Sequence, residues 1–300
     1  MRVAAIAFLV GACGSAPADR PRTFGGDRPV DLEIPLHFDD SAHYPLVLVL
    51  HGYAVNGFVQ EAYLGIRSLT AMDQAFLVAP TGFADSMNRP YWNADPACCD
   101  FDHANPDDVG YLAQLVTDIA DAWPVTDIYI VGHGAGAFMA YRFACDRADL
   151  VSAIVPIAGA AALDPATCHP SAPVDVLHLH GTADVEFPYD GGGEFGMTPG
   201  SPGAVASTMQ WATLDGCATT TTPGAAIDLD DVVAGAETTP AIYGCIAPPA
   251  GSSRGRPAEG AVDGPTIDVE LWTMQGTEHL PGMTETFVPA VWPWLLAHHR

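Results

Sequence analysis

Residues 45–50 (Pro-Leu-Val-Leu-Val-Leu) form an unbroken apolar run that stops at His51-Gly52. Such a run, without polar alternation, predicts a strand buried on both faces. Residues 75–79, 127–131, 153–158, 174–180 and 267–274 predict further strands. Between them the apolar period changes to that of a helix. Over 107–123, Val109, Leu112, Leu115, Val116 and Ile119 share one face; Asp107 and Asp108 suit the first turn, and Pro124 stops the helix. Helices are also predicted over 137–146, 204–214 and 284–298. The segments 185–203 and 216–265, rich in Gly, Pro and Thr, read as loops or a short hairpin. Strands alternating with helices at this spacing predict an α/β fold, a mostly parallel sheet with helices on both faces. In such sheets functional groups collect at the C-terminal ends of the strands. No repeat with the period of a solenoid or propeller is visible.

Charge narrows the field of partners. Against 36 Asp and Glu stand 11 cationic residues, all Arg, for a net charge of −25. Such a surface repels phosphate backbones and anionic headgroups, so nucleic acid is excluded as a partner. The absence of Lys removes Schiff-base and P-loop chemistry. The acidic stretches at 100–108 and 228–231 lack a calcium-loop pattern and read as solvated loops. No Cys or His spacing suits a metal, and no cofactor motif is present.

The N-terminus reads as an address. Arg2 precedes an apolar run over 3–10 that is too short to span a bilayer. Val10-Gly11-Ala12-Cys13 has the form of a lipobox, which makes 1–12 a lipoprotein signal peptide and Cys13 the lipidated residue. The competing cleavage site is Ala16-Pro17-Ala18. The lipobox is the stronger pattern, and both imply export. Residues 13–29 read as a flexible tether and 30–300 as one domain. The expected location is extracytoplasmic, lipid-anchored through Cys13 to a bacterial membrane or secreted. Setting Cys13 aside leaves six of the seven cysteines: Cys98, Cys99, Cys145, Cys168, Cys217 and Cys245. An oxidising compartment makes them disulfide partners. Adjacent Cys98 and Cys99 are expected to reach elsewhere rather than to each other.

The chemistry gathers after the strands. The 127–131 strand runs into Gly132-His133-Gly134-Ala135-Gly136 and then a helix, the strand–turn–helix pattern of a nucleophile elbow. Asp184 follows the 174–180 strand and His279 follows the 267–274 strand. The segments Leu50-His51-Gly52, Trp92-Asn93-Ala94 with Cys98-Cys99, and Asp107-Asp108-Val109-Gly110-Tyr111 join these in order. So do the elbow, the run from Leu177 through His180-Gly181-Thr182-Ala183 to Asp184, Pro188-Tyr189-Asp190-Gly191-Gly192, and His279. Together, over roughly residues 30–295, they resemble the α/β-hydrolase family of secreted poly(3-hydroxybutyrate) depolymerase-like enzymes and feruloyl esterases.

That resemblance implies an α/β-hydrolase fold and hydrolysis of carboxylic esters, small or polymeric. It makes Asp184 the acid that orients the base, His279 the general base, and the Tyr53 and Ala135 amides the oxyanion hole. It also implies a Cys217–Cys245 bridge. The chain departs from the family twice. Where the family carries the nucleophilic Ser, this chain carries Gly134, which has no oxygen to attack an ester, so the acyl-enzyme route is closed. Around the base, His279-Leu280-Pro281-Gly282 is one residue shorter than the family's His-x-Trp-Pro-Gly. His51, His178 and His180 read as core or supporting residues, and Trp92-Asn93 as loop-fixing or pocket-lining. Two functions follow: an exported esterase-family protein with impaired or absent catalysis, or a non-catalytic surface protein that keeps the pocket for an ester ligand.

Overall fold

A computed structural model describes residues 20–193, 200–245 and 267–299. Cys13 and the expected signal peptide lie outside the described residues. The central sheet contains β1 (Tyr44–Leu50), β2 (Phe76–Val78), β3 (Val125–His133), β4 (Ala153–Ile157), β5 (Asp175–Gly181), β6 (Thr221–Pro223), β7 (Thr238–Tyr243) and β8 (Val269–Met274). Its eight strands are ordered β6-β7-β8-β5-β4-β3-β1-β2. Strands from β2 to β8 in that order run parallel, and β7 and β6 add an antiparallel edge. Each apolar run read from the sequence forms a strand of this sheet.

Alternation along β1 shows why the runs are apolar throughout. Leu46, Leu48 and Leu50 enter one core and Val47 and Val49 the other, and all five are fully buried. The first core is closed by α3 (Asp108–Ala122), α4 (Ala135–Asp146) and Trp211 of α5 (Ala204–Leu214). The second is closed by Leu69 of α2 (Ser68–Ala71) and by Phe287, Val288 and Val291 of α6 (Phe287–Ala297). Asp107 caps α3 by accepting from the Gly110 amide at 2.8 Å. A short helix, α1 (Gly57–Tyr63), follows β1.

The Thr- and Pro-rich segment expected as loops or a short hairpin forms the antiparallel hairpin β6–β7, which joins the sheet through the pairing of β7 with β8. Three expectations change. Residues 20–29, expected as tether, lie on the domain. Thr23–Phe24 pairs with Val30–Asp31, Trp123 Nε1 donates to the Pro21 carbonyl, and Arg28 meets Asp108 at 2.6 Å. The last contact also corrects the reading of the acidic stretches as solvated. Asp108 is buried, paired with Arg28 and accepting from the Asn93 amide, while buried Asp230 accepts from the amides of Val232 and Gly282. Finally, Cys98 is bonded to Cys99 across a cis peptide, with Cα atoms 3.1 Å apart. The other four described cysteines pair among themselves, Cys145 with Cys168 and Cys217 with Cys245, so the adjacent pair closes on itself.

Candidate functional site

The C-terminal ends of β1, β3, β5 and β8 converge on one point. Strand β3 ends at His133, and α4 begins at Ala135, leaving Gly134 between them with φ 52° and ψ −117°. That conformation disfavours any residue with a Cβ and is held only where surroundings impose it. Here they do. A Cβ on Gly132 would lie 2.1 Å from the Gly136 carbonyl oxygen, and one on Gly136 would lie 2.1 Å from that of Leu50. The flanking glycines therefore exist so that strand and helix can touch. Gly134 is different: a Cβ there would meet the His279 imidazole, 3.3 Å from Nε2, and otherwise ordinary contacts. The elbow is built as for a side chain aimed at His279, and no side chain is present.

His279 lies beyond β8, and Asp184 beyond β5. The His279 Nδ1 lies 2.9 Å from Asp184 Oδ2. Asp184 is buried, and its Oδ1 accepts from the amides of Glu186 and Phe187 at 2.8 and 2.9 Å. Burial pushes its carboxyl up, but donors from His180 and His279 and the backbone prevail and hold it well below the usual carboxylate range. Asp184 is thus an ionised acceptor at neutral pH, and His279 Nδ1 donates to it. That leaves Nε2 facing the space over Gly134.

His133, the elbow residue before Gly134, points away from this space. Its Nε2 donates to the His279 carbonyl at 2.9 Å, and its ring packs 4.7 Å from the His279 ring. Burial, reinforced by the neighbouring His279, pushes it down to about 3, so it is a neutral support for the His279 backbone. The shortened loop is held from three sides: Tyr63 donates to the Pro281 carbonyl at 2.6 Å, the Gly282 amide donates to Asp230, and the Asp231 amide donates to the Gly282 carbonyl.

The residues expected to supply the oxyanion donors border the same space. Ala135 N–H begins α4, and Tyr53 follows Gly52, whose Cα is 3.7 Å from the Cβ position of Gly134. Neither amide has a backbone acceptor among the described residues. The loop carrying Tyr53 is braced from below. His51 Nδ1 donates to the Gly52 carbonyl at 2.7 Å, and its Nε2 accepts from Gly82 N at 2.9 Å. Burial pushes His51 down to about 4, keeping the ring neutral for both bonds. Trp92 Nε1 donates to the His51 carbonyl at 3.0 Å, and Asn93 Nδ2 to the Pro106 carbonyl. These two residues fix loops, one of the roles expected for them. Gln60 Oε1 accepts from the Gly52 amide.

Two features escape the sequence reading. Glu186 Oε2 lies 3.5 Å from His279 Nε2, so a second carboxylate approaches the ring from the side of the space. Only its position two residues after Asp184 could have hinted at this. Phe187 packs at a tilt 5.6 Å from His279 and 5.0 Å from Phe138, which lines a cavity of about 90 Å³ with Tyr141, Arg142 and Trp211. Among the described residues no cluster of His, Cys, Asp and Glu suits a metal ion, and no helix is long and apolar enough to cross a membrane.

No protein-family model matches the chain. A Nocardia uniformis subsp. tsuyamanensis protein named as an esterase, NocK, is 30% identical over 150 residues, which cover 49% of this chain and 42% of that protein. An Aspergillus flavus protein named as feruloyl esterase C is 25% identical over 205 residues, 64% of this chain and 70% of the relative. The chain thus spans less than half of the first relative. In three dimensions an acetyl xylan esterase from Aspergillus awamori superposes with a TM-score of 0.55 at 12% identity, covering 84% of this chain and 88% of the other. The chain thus has the α/β-hydrolase fold and, over part of its length, is similar in sequence to proteins named as esterases.

Proposed function

We propose that this chain is an exported esterase-type protein that binds carboxylic esters without forming an acyl-enzyme. In this reading Asp184 orients His279, His279 Nε2 is the base, and the Tyr53 and Ala135 amides receive the carbonyl oxygen. One observation carries the proposal: the elbow keeps its strained backbone, with His279 Nε2 3.3 Å from the Cβ position, yet residue 134 is glycine. An ester carbonyl can be held and polarised there, but no side-chain oxygen attacks it. In a protease, loss of the triad serine costs about 10⁶ in kcat and leaves ~10³–10⁴ over water from binding and oxyanion stabilisation. The ligand class is a carboxylic ester, small or polymeric, by likeness to the named relatives.

The test is Gly134→Ser beside wild type. Wild type should form no covalent adduct with serine-directed phosphonates and hydrolyse short-chain and aryl esters barely above background. Gly134→Ser should form the adduct and hydrolyse, and a further His279→Ala should abolish both. An inert Gly134→Ser protein that still folds would overturn the reading of the site. Robust wild-type turnover lost on His279→Ala would replace it with direct attack by a His279-activated water. Export rests on the Cys145–Cys168 and Cys217–Cys245 disulfides and on the lipobox. Metabolic labelling with palmitate should mark wild type and not Cys13→Ala; a mature N-terminus at Asp19 would favour a soluble secreted protein instead.

A further inference from the structure

Strand β5 carries His178 and His180 two residues apart, so both project to one face, and α4 packs Tyr141 against it. All three are fully or almost fully buried. Tyr141 Oη lies 2.7 Å from His178 Nδ1, and His178 Nε2 lies 3.0 Å from His180 Nδ1. His180 Nε2 lies 2.8 Å from the Phe187 carbonyl oxygen and 3.4 Å from Asp184 Oδ2. The two imidazoles are stacked almost parallel, 5.3 Å apart at 6°.

The protons in this chain can run only one way. A carbonyl and an ionised carboxylate both accept, so His180 Nε2 must carry its proton. Burial and the neighbouring His180 push His178 far down, which keeps that ring neutral. The Tyr141 hydroxyl has His178 Nδ1 as its hydrogen-bond partner among the described residues and donates to it. The neutral His178 ring then carries its proton on Nε2 and donates it to His180 Nδ1. A core that needed only volume would place Leu or Phe at these positions, since each buried polar group left unpaired costs about 1–3 kcal/mol. The polar chain is complete because it ends on acceptors, and one of them is Asp184.

We propose that Tyr141, His178 and His180 form a directional chain of donors ending on Asp184, with His180 a positioning residue that holds the carboxylate against His279. Asp184 Oδ1 is held by two backbone amides, whereas Oδ2 is shared between His279 and His180. The chain therefore fixes the oxygen that orients the base. The inference rests on the reading of Asp184 and His279 as acid and base, and it needs no turnover to test. The other titratable groups against His279 are His133 and Glu186.

The experiment is ¹⁵N-histidine NMR of the full wild-type protein. His178 and His180 should each appear with the proton on Nε2 and a lone pair on Nδ1, and the His279 Nδ1 proton should give a far-downfield signal. His180→Phe keeps ring volume without a donor and should broaden or lose that signal; His180→Gln, which restores an N–H, should recover it. A protonated Nδ1 on His178 or His180, or a His279 signal untouched by His180→Phe, overturns the proposal. If His180→Phe does not fold, Tyr141→Phe replaces it: His178 should leave its pure Nε2–H state, and an unchanged His178 signal overturns the chain. Asp184→Asn separates the two levels. An unchanged His279 Nδ1 signal there sinks the acid–base reading itself and takes this proposal with it.

Discussion

Gly134 keeps a backbone conformation of φ 52° and ψ −117° that a glycine tolerates easily and a serine does not. A serine there would cost about 1 kcal/mol of stability, which an active nucleophile justifies. The space it would enter is not empty of chemistry, because Glu186 reaches the same ring nitrogen at 3.5 Å. A carboxylate in that place cannot donate to the Nε2 lone pair, crowds the hydroxyl that would, and its charge opposes an oxyanion forming nearby. Glu186 is half-exposed, so its interaction is of the water-screened kind, about 1 kcal/mol at such separations. We therefore expect Gly134→Ser/Glu186→Gln to react with a phosphonate about fivefold faster than Gly134→Ser alone. A slower double variant would mean that Glu186 helps hold His279 rather than obstructing it.

At the scale of elements, the close of the fold depends on how α6 is tied to β8. Glu270 accepts from both Trp272 Nε1 and Trp294 Nε1, at 2.8 and 2.9 Å. At the helix end, His298 Nε2 lies 2.7 Å from Asp268 Oδ2, and Nδ1 lies 2.6 Å from the Trp294 carbonyl. Both partners accept, so the ring is best satisfied when protonated on both nitrogens. Burial opposes that charge, but Asp268 and the carbonyl outweigh it and raise His298 above its ordinary value. A raised histidine stabilises the fold fully below its unfolded value near 6.5 and loses that contribution as pH rises through the folded value. His298→Gln should accordingly lower thermal stability by about 1–2 kcal/mol at pH 6 and by much less at pH 9. A pH-independent loss would mean that only packing against Trp294 matters.

The same elements show what could be read before the structure. Unbroken apolar runs such as 45–50 and 153–158 betray themselves because both faces of the strand are buried. The order elbow, Asp184, His279 was legible for a related reason: each follows a strand whose end is the site. The β6–β7 hairpin was legible only beside a loop reading, because Thr238, Thr239 and Pro240 look like a turn, and the pairing of β7 with β8 comes from tertiary contact rather than propensity. α1 and α2 are too short to show a period. The chain from Tyr141 to Asp184 was invisible for a different reason. His178 and His180 share a face by simple alternation, but nothing local says that α4 will lay Tyr141 across them.

The whole molecule carries 36 carboxylates against 11 Arg, and the long-range balance of these charges is repulsive. Local attraction works in the other direction. Arg28 meets Asp108, Arg67 reaches Glu33 and Glu61, and Arg89 pairs with Asp85 beneath the Tyr53 hydroxyl. Salt weakens both, but unequally. The Debye length falls from about 30 Å at 0.01 M to about 10 Å at 0.1 M, so added salt first removes repulsion between carboxylates far apart on the surface. Pairs at 2.6 to 2.9 Å, such as Arg28–Asp108 and Arg67–Glu61, lie well inside that length, and exposed ones are worth about 0–1 kcal/mol each. With acids outnumbering cations by more than three to one, the long-range term should win. Raising NaCl from about 0.01 M to about 0.1 M should stabilise the protein by about 1 kcal/mol, a rise of about 2–4 °C in Tm. Differential scanning calorimetry across that range decides it. A falling Tm would mean that stability rests on the arginine pairs, with Arg28 and its buried partner Asp108 the first to examine by Arg28→Gln.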